Sequence, residues 1–495
     1  MPQRLTATEA ALLAADTRTT PQHVGSVDIF VAEDLDVDAV AELIERRLEF
    51  IPRYRMRPRA VPGGIALPVW VEDAHFDPSF HIRHSALPRP GSLRQLDEFV
   101  GRVLARGLDL SRPLWECYIV EGLQADPVSG LPRFALVTKS HLALVDGIDG
   151  VELGQVLLDD PSDLLAHEDE DEDHYDGRRF EPMPEPRPLD LVVDAVREGL
   201  SGPKELLRTG QRGLGSALNT AVTVGEAVLG GNASSVGDWA ESTLRRSRGP
   251  AGTPLGGVPS QHRRFAHVQL ELSELKALRQ NPYTVNDVLL AVVTGGLRGW
   301  LAAGGRRAQD LLALVPMGVG DQEDGDPSAL GAHVAPHLIS LPLSESNPLM
   351  RVHQISHGTR AHTDTGVAIS ARTITDIAGF APMTLQALAV RTAASLVLRP
   401  HHLLVTNAPG PQRPLELAGA TMTASYPVLP IEPGRLLSIG MTSYNSVVYI
   451  GLSADRDQVP DLDLLASCLR DAVGELQAAA EDARPQWNRS NQEDQ

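Results

Sequence analysis

Six consecutive acidic residues at positions 168–173, followed by Pro182, Pro184, Pro186 and Pro188, break a chain that elsewhere alternates helix and strand patterns. Such a run repels itself and offers nothing to bury, so it predicts an exposed linker rather than part of a core. At 495 residues the chain also exceeds what one hydrophobic core ordinarily serves. Together these features predict a folded N-terminal half over 1–160 and a linker with a helical crossover over 161–260. A second folded half follows over 261–485, then a polar tail over 486–495.

Within the first half, residues 26–31 alternate as a strand does. Residues 36–49 place Val37, Val40, Ala41, Ile44 and Leu48 on one helical face. Residues 92–107 predict another helix, and 117–123 and 134–144 predict two buried strands around a turn rich in proline and glycine. The second half predicts a strand at 265–272, helices at 273–279 and 285–301, strands within 311–319, 402–408 and 436–452, and a last helix at 461–480. Alternation of this kind predicts an α/β or α+β fold. Between the halves, 189–229 carry helical spacing, with Leu207, Leu214 and Leu218 apolar and Lys204, Arg208 and Arg212 forming a basic stripe. That stripe suits packing against the folded halves and docking to a membrane or lipid-droplet surface equally well.

Composition removes several function classes. The net charge of −20 argues against a nucleic-acid partner, which demands a basic footprint. Cys117 and Cys468 are the only cysteines and lie far apart, so no disulfide framework or CxxC redox pair is available. The first residues carry Glu9 and Asp16 where a signal peptide would be apolar, and no run of about 18 apolar residues occurs. A cytoplasmic protein is expected, with at most peripheral membrane contact. There is no P-loop, no GxSxG elbow and no HExxH zinc motif. His75, His81 and His84, and the pair His401–His402, lack the partners and spacing of a metal site, so no metal is expected.

The chemistry-bearing segment is KSHLALVDGIDG at 139–150, a strand-like run ending in an Asp-Gly turn with a histidine five residues before the aspartate. Around it, in order, stand PQHVG at 21–25, FDPSFHIRH at 76–84, LDLSRPLW at 108–115, TVNDVLLAVV at 284–293, LVP at 314–316, TNAPGP at 406–411 and ADRDQVPD at 454–461. This series resembles the bacterial wax ester synthase/diacylglycerol acyltransferase family over nearly the whole chain. PLW, ND and NAPGP carry the resemblance jointly.

The resemblance implies two chloramphenicol-acetyltransferase-like lobes with a central channel, joined by a long helical crossover. It implies transfer of a fatty acyl group from acyl-CoA to diacylglycerol or a long-chain alcohol, with acyl-CoA as substrate and no cofactor. A neutral histidine would take the proton of the attacking hydroxyl, and donors near the thioester carbonyl would stabilise the oxyanion. The family's HHxxxDG, aligned on Asp146-Gly147, places its first histidine at His141 and its second, the base, at Leu142. Asp146 matches the aspartate that pins the turn. Asn286 and Asp287 match the ND motif, making Asn286 a candidate for orienting substrate or the oxyanion. Pro113, Leu114 and Trp115 suit core packing, and Asn407, Pro409 and Gly410 a rigid turn between the lobes. Gly320 stands where the family has an arginine.

Leucine accepts no proton, and adjacent residues on a strand face opposite sides, so His141 would point away from the base position unless a bulge turns it. Three readings follow. The chain is an active O-acyltransferase, or a silent relative that binds acyl lipids or pairs with an active paralogue, or a condensation-type domain. The last is disfavoured by PLW, by NAPGP and by the lack of room for a carrier domain.

Overall fold

The computed structural model describes residues 3–34, 36–48, 51–145, 157–158, 185–201, 254–279, 283–318, 334–363 and 401–493. The acidic run, the Lys204–Arg208–Arg212 stripe, most of the helical crossover, Asp146, Gly147 and Gly320 lie outside them.

In the first half, strand β1 (Gln3–Arg4) leads into α1 (Ala7–Ala15), β2 (His23–Val31) and α2 (Val37–Arg47). Then come β3 (Met56–Arg59), β4 (Val69–Glu72), the single-turn α3 (Pro78–His81), β5 (Ile82–Ala86), α4 (Leu93–Leu104), β6 (Trp115–Leu123) and β7 (Arg133–His141). Helix α5 (Pro188–Ser201) follows, and the second half opens with β8 (Arg263–Glu271), α6 (Leu272–Leu278) and α7 (Val285–Ala303). It continues with β9 (Leu311–Gly318), β10 (Val334–Leu341), α8 (Pro348–Thr363), β11 (Leu403–Pro409), β12 (Glu416–Leu417), β13 (Ala420–Val428), β14 (Leu437–Tyr444), β15 (Val447–Asp455) and α9 (Leu462–Glu493). The last helix continues past Pro485 into the segment that the sequence marks as a polar tail. The run QAAAEDAR ahead of that proline is rich in helix formers.

Two six-stranded mixed sheets organise the molecule, in the orders β12-β13-β2-β7-β6-β5 and β10-β9-β11-β14-β15-β8. The strands of the second half do not all stay in its sheet. β13 crosses over and lies antiparallel along β2, from Thr421 opposite Val31 to Val428 opposite Gly25. The division between the sheets therefore departs from the sequence division at 160 and 260. The crossing strand carries Pro427, which removes a ladder donor and makes its sequence a poor strand signal.

The packing explains why the sheets form where they do. Phe30 stacks on Phe134 across β2 and β7, ring centroids 5.1 Å apart. The core of the first sheet also takes in Phe265, Leu314, Leu404, Tyr444 and Tyr449 from the second half. Each fully buried side chain of this size contributes roughly 1.5–3 kcal/mol relative to exposure, so the halves share one apolar interface. Gly25 sits where β2 approaches β7 so closely that a Cβ would lie 1.9 Å from the Thr138 carbonyl oxygen. No side chain fits there, which accounts for the glycine of PQHVG. Among the described residues no helix is long and apolar enough to cross a membrane.

Candidate functional site

The β7 terminus gathers motifs that the sequence scatters. β2 and β6 flank β7, and their registers set His23 opposite His141 and Trp115 opposite Ser140. The strand ends at His141, and Leu142–Val145 form a turn. The backbone N–H of His141 donates to the Leu114 carbonyl at 2.9 Å, and that of Leu142 to the Gln22 carbonyl at 2.9 Å. PLW, PQHVG and the histidine segment are thus stitched together backbone to backbone. Trp115 is fully buried and donates from Nε1 to the Tyr54 carbonyl at 2.7 Å. Pro113 and Leu114 are buried beside it.

His141 is completely buried, and its two ring nitrogens face different neighbours. Nδ1 accepts from the backbone N–H of Ala143 at 3.0 Å. It must then be unprotonated, which puts the ring proton on Nε2. Nε2 faces Asp16 Oδ2 at 3.1 Å, an ion-pair distance, although the angle departs from that of a hydrogen bond. Neither nitrogen offers a lone pair to an incoming hydroxyl in this arrangement. Leu142 is equally buried and belongs to the apolar core of the first half.

Further polar groups lie on the His141 face of the sheet, since alternation and register put His23, Lys139 and Glu116 on the same side. Burial holds His23 well below the usual imidazole range, helped by the positive charges of Lys139 and Arg263, so it is neutral. Lys139 is wholly buried, pairs with Glu116 Oε2 at 2.9 Å and donates to the Arg106 carbonyl at 3.0 Å. Glu116 also accepts from Arg83 and from the Tyr118 hydroxyl. Burial lowers the Lys139 ammonium below its ordinary value, while Glu116 opposes that shift.

His81, from FDPSFHIRH, docks on the same end. Its ring stacks on Trp115 with centroids 4.8 Å apart, and Nδ1 donates to the Trp115 carbonyl at 2.8 Å. Its Nε2 is buried without a partner. His75 and His84 do not join it in a ligand set. Among the described residues no group of three or more His, Cys, Asp or Glu could hold a metal ion.

A second polar cluster forms in the second half. Thr284 caps α7, accepting from the Asp287 N–H at 3.1 Å, while the Asp287 carboxylate accepts from the Thr284 N–H at 2.8 Å. Asp287 is buried and also accepts from the Thr359 hydroxyl at 2.7 Å. It is a cap and an anchor for α8. Capping leaves Asn286 half-buried at the start of α7, where its Oδ1 accepts from Asn407 Nδ2 at 3.2 Å. Asn407 lies near the end of β11, before Pro409, and the N–H of Gly410 donates to Ser443 Oγ at 3.3 Å. The ND and NAPGP motifs therefore meet, which the sequence does not reveal. The sequence reading also missed Asp16 and His81 as structural partners of the site. Asp16 is 125 residues from His141 in the chain, and no local pattern signals that contact.

Comparison with known proteins defines the architecture first. The fold matches the structure of a wax ester synthase/diacylglycerol acyltransferase from Marinobacter aquaeolei VT8, with a TM-score of 0.63 at 24% identity, covering 97% of this chain and all of that one. It also matches a trichothecene 15-O-acetyltransferase from Fusarium sporotrichioides, with a TM-score of 0.53 at 11% identity, covering 96% and 94%. The architecture is that of the two-lobed acyltransferases. In sequence, residues 5–289 match the wax ester synthase/diacylglycerol acyltransferase catalytic domain and 330–477 the C-terminal domain of the same family. A probable diacylglycerol O-acyltransferase of Mycobacterium tuberculosis, tgs1, is 30% identical over 483 residues, 96% of each chain. Another from that organism, tgs3, is 36% identical over 282 residues, 56% of this chain and 96% of its own. The chain belongs to the wax ester synthase/diacylglycerol acyltransferase family.

Proposed function

We propose that this chain transfers a long-chain acyl group from acyl-CoA to the hydroxyl of diacylglycerol or a fatty alcohol, and does so slowly because position 142 holds leucine. In that reaction the hydroxyl oxygen attacks the thioester carbonyl, the C–S bond breaks, and the alcohol proton ends on the departing thiolate. A histidine base at position 142 would carry that proton. Here binding, orientation and polar donors such as Asn286 are left to lower the barrier, and the proton moves through water. The observation that carries the reading is an intact frame around a missing base. The motifs meet at the β7 terminus and Asn286 meets Asn407, yet Leu142 is apolar and buried, and His141 has Nδ1 taken by the Ala143 N–H and Nε2 turned to Asp16.

A second reading, an acyl-lipid binder without turnover, draws on the same substitution: the Leu142 side chain packs in the core as any structural leucine would. A mass-spectrometric assay of the purified protein with long-chain acyl-CoA and diacylglycerol separates the two. Weak product formation above the rate without protein supports acyl transfer. If a folded wild type and a folded Leu142→His both form no product while acyl-CoA still binds, the binding reading replaces it.

A further inference from the structure

We infer that Asp16 is a positioning residue for the turn that follows β7, acting through His141, and that Arg263 of the second half makes this grip depend on how the two halves meet. The inference rests on the acyl-transfer reading for its kinetic arm, and a spectroscopic arm keeps the two separable.

Asp16 caps the C-terminus of α1, with its backbone N–H donating to the Leu13 carbonyl. Its carboxylate is only 12% exposed. A carboxylate so placed is costly unless it is paired. Its partners are the imidazole Nε2 of His141 at 3.1 Å and the backbone N–H of Gln22 at 3.3 Å. The imidazole then dictates the turn, because its Nδ1 holds the Ala143 N–H at 3.0 Å. Position 142 lies between these two anchors, and its own N–H is taken by the Gln22 carbonyl. Contacts at 141, 142 and 143 thus lead to one short loop, 16–22. The direction of side chain 142, the base position of the family, is fixed from there.

The same loop touches the second half. Arg263, the first residue of β8, donates through Nη2 to the Thr19 carbonyl, and its Nη1 is held by the Ser260 carbonyl at 2.7 Å. Thr17 and Thr20 stiffen the loop through a hydroxyl contact of 2.7 Å. The path from Arg263 through Thr19 to Asp16 and His141 is continuous, and every contact in it is polar. Asp16 touches no reacting atom. Its effect would appear as orientation, and a misplacement of about 1 Å near a reaction centre can cost about 10²-fold in rate.

The kinetic arm uses Leu142→His as background, so that the orientation of residue 142 limits the rate. Adding Asp16→Ala should lower kcat by about 10- to 100-fold and leave KM for acyl-CoA within about threefold, since the acyl-CoA site is not remade. Asp16→Glu, which restores a carboxylate, should recover most of the loss. Arg263→Gln should lower kcat less, and adding it to Asp16→Ala should bring little further loss, because the two act on one loop. The spectroscopic arm labels histidine with ¹⁵N and assigns His141 by its loss in His141→Gln. The wild type should show a bare Nδ1 and a protonated Nε2. Asp16→Ala should blur this single tautomer, and Asp16→Asn should do so as well if the alanine variant does not fold. If Leu142→His gives no turnover, acyl transfer fails as a reading and the spectra alone decide. An unchanged His141 tautomer in a folded Asp16 variant overturns the inference, as does an unchanged kcat.

Discussion

The two polar clusters stand in opposite states. At the end of β7 the polar groups turn inward on one another: His141 Nδ1 holds the Ala143 N–H, its Nε2 lies 3.1 Å from Asp16, Lys139 is locked to Glu116, and Leu142 is buried in the apolar core. At the start of α7, Asn286 and Asn407 are amides bonded to each other and only half-buried, so this cluster reaches nearer to solvent. The proposed function makes different demands on the two clusters. On the proposed acyl-transfer reading, leucine at 142 would withhold proton transfer, while Asn286 would remain to face a developing oxyanion. Polar frames of this kind are costly to dismantle because each partner removed leaves another buried and unsatisfied.

The largest test of that contrast is Leu142→His. Supplying one acid–base group is worth about 10²- to 10⁴-fold in rate, and turnover in the mass-spectrometric assay should rise by a factor in that range. Next comes Asn286→Ala in the same background. Removing one oxyanion donor costs on the order of 10²- to 10³-fold, so kcat should fall by about that much. A smaller loss would return Asn286 to a purely structural role beside the Asp287 cap.

A stability test sharpens the comparison from the side of the fold. Asp28, on β2, accepts from Ser26 and from Ser425 of the crossing strand, each at 2.6 Å. Burial pushes its carboxyl up to about 6, against the lowering effect of the two serines. The folded state therefore binds this proton more tightly than the unfolded chain does. Stability from this group is full below about pH 4 and is lost as the pH rises through 6. The span is at most about 3 kcal/mol, from roughly two units at 1.36 kcal/mol each. Urea titrations between pH 4 and 7 should show that slope, and Asp28→Asn should flatten it. The smallest effect concerns the seam itself. His267 of β8 meets Asp97 of α4 at 2.8 Å, and His267→Ala should cost about 1 kcal/mol in the same titration.

Much of the architecture was legible from periodicity. β6, α7 and the β14–β15 hairpin carry strong patterns and lie where those patterns put them, while β7 starts as its pattern predicts but ends at His141, three residues short, where the chain turns. β13 was not legible, because Pro427 and an irregular Thr-Met-Thr-Ala start hide a strand that gains its stability only from β2. At the site, leucine at 142 in place of the second histidine of HHxxxDG is visible in the sequence itself. The engagement of His141 is not, because it depends on Asp16 and on the backbone of Ala143, and a sequence does not state which side chain closes on which ring. The pairing of Asn286 with Asn407 is hidden for the same reason.

The crossing strand also has a consequence for biosynthesis. A ribosome releases β7 at His141, and β2 earlier still, long before β13 begins at Ala420; among the described residues β13 is the strand that covers the other side of β2. Until then that edge, with Val24, Val27, Ile29 and Phe30, is an open apolar template of the kind that recruits foreign strands. The nascent first half must wait for a segment made much later. An N-terminal fragment ending before residue 420 should aggregate unless β13 is supplied in trans.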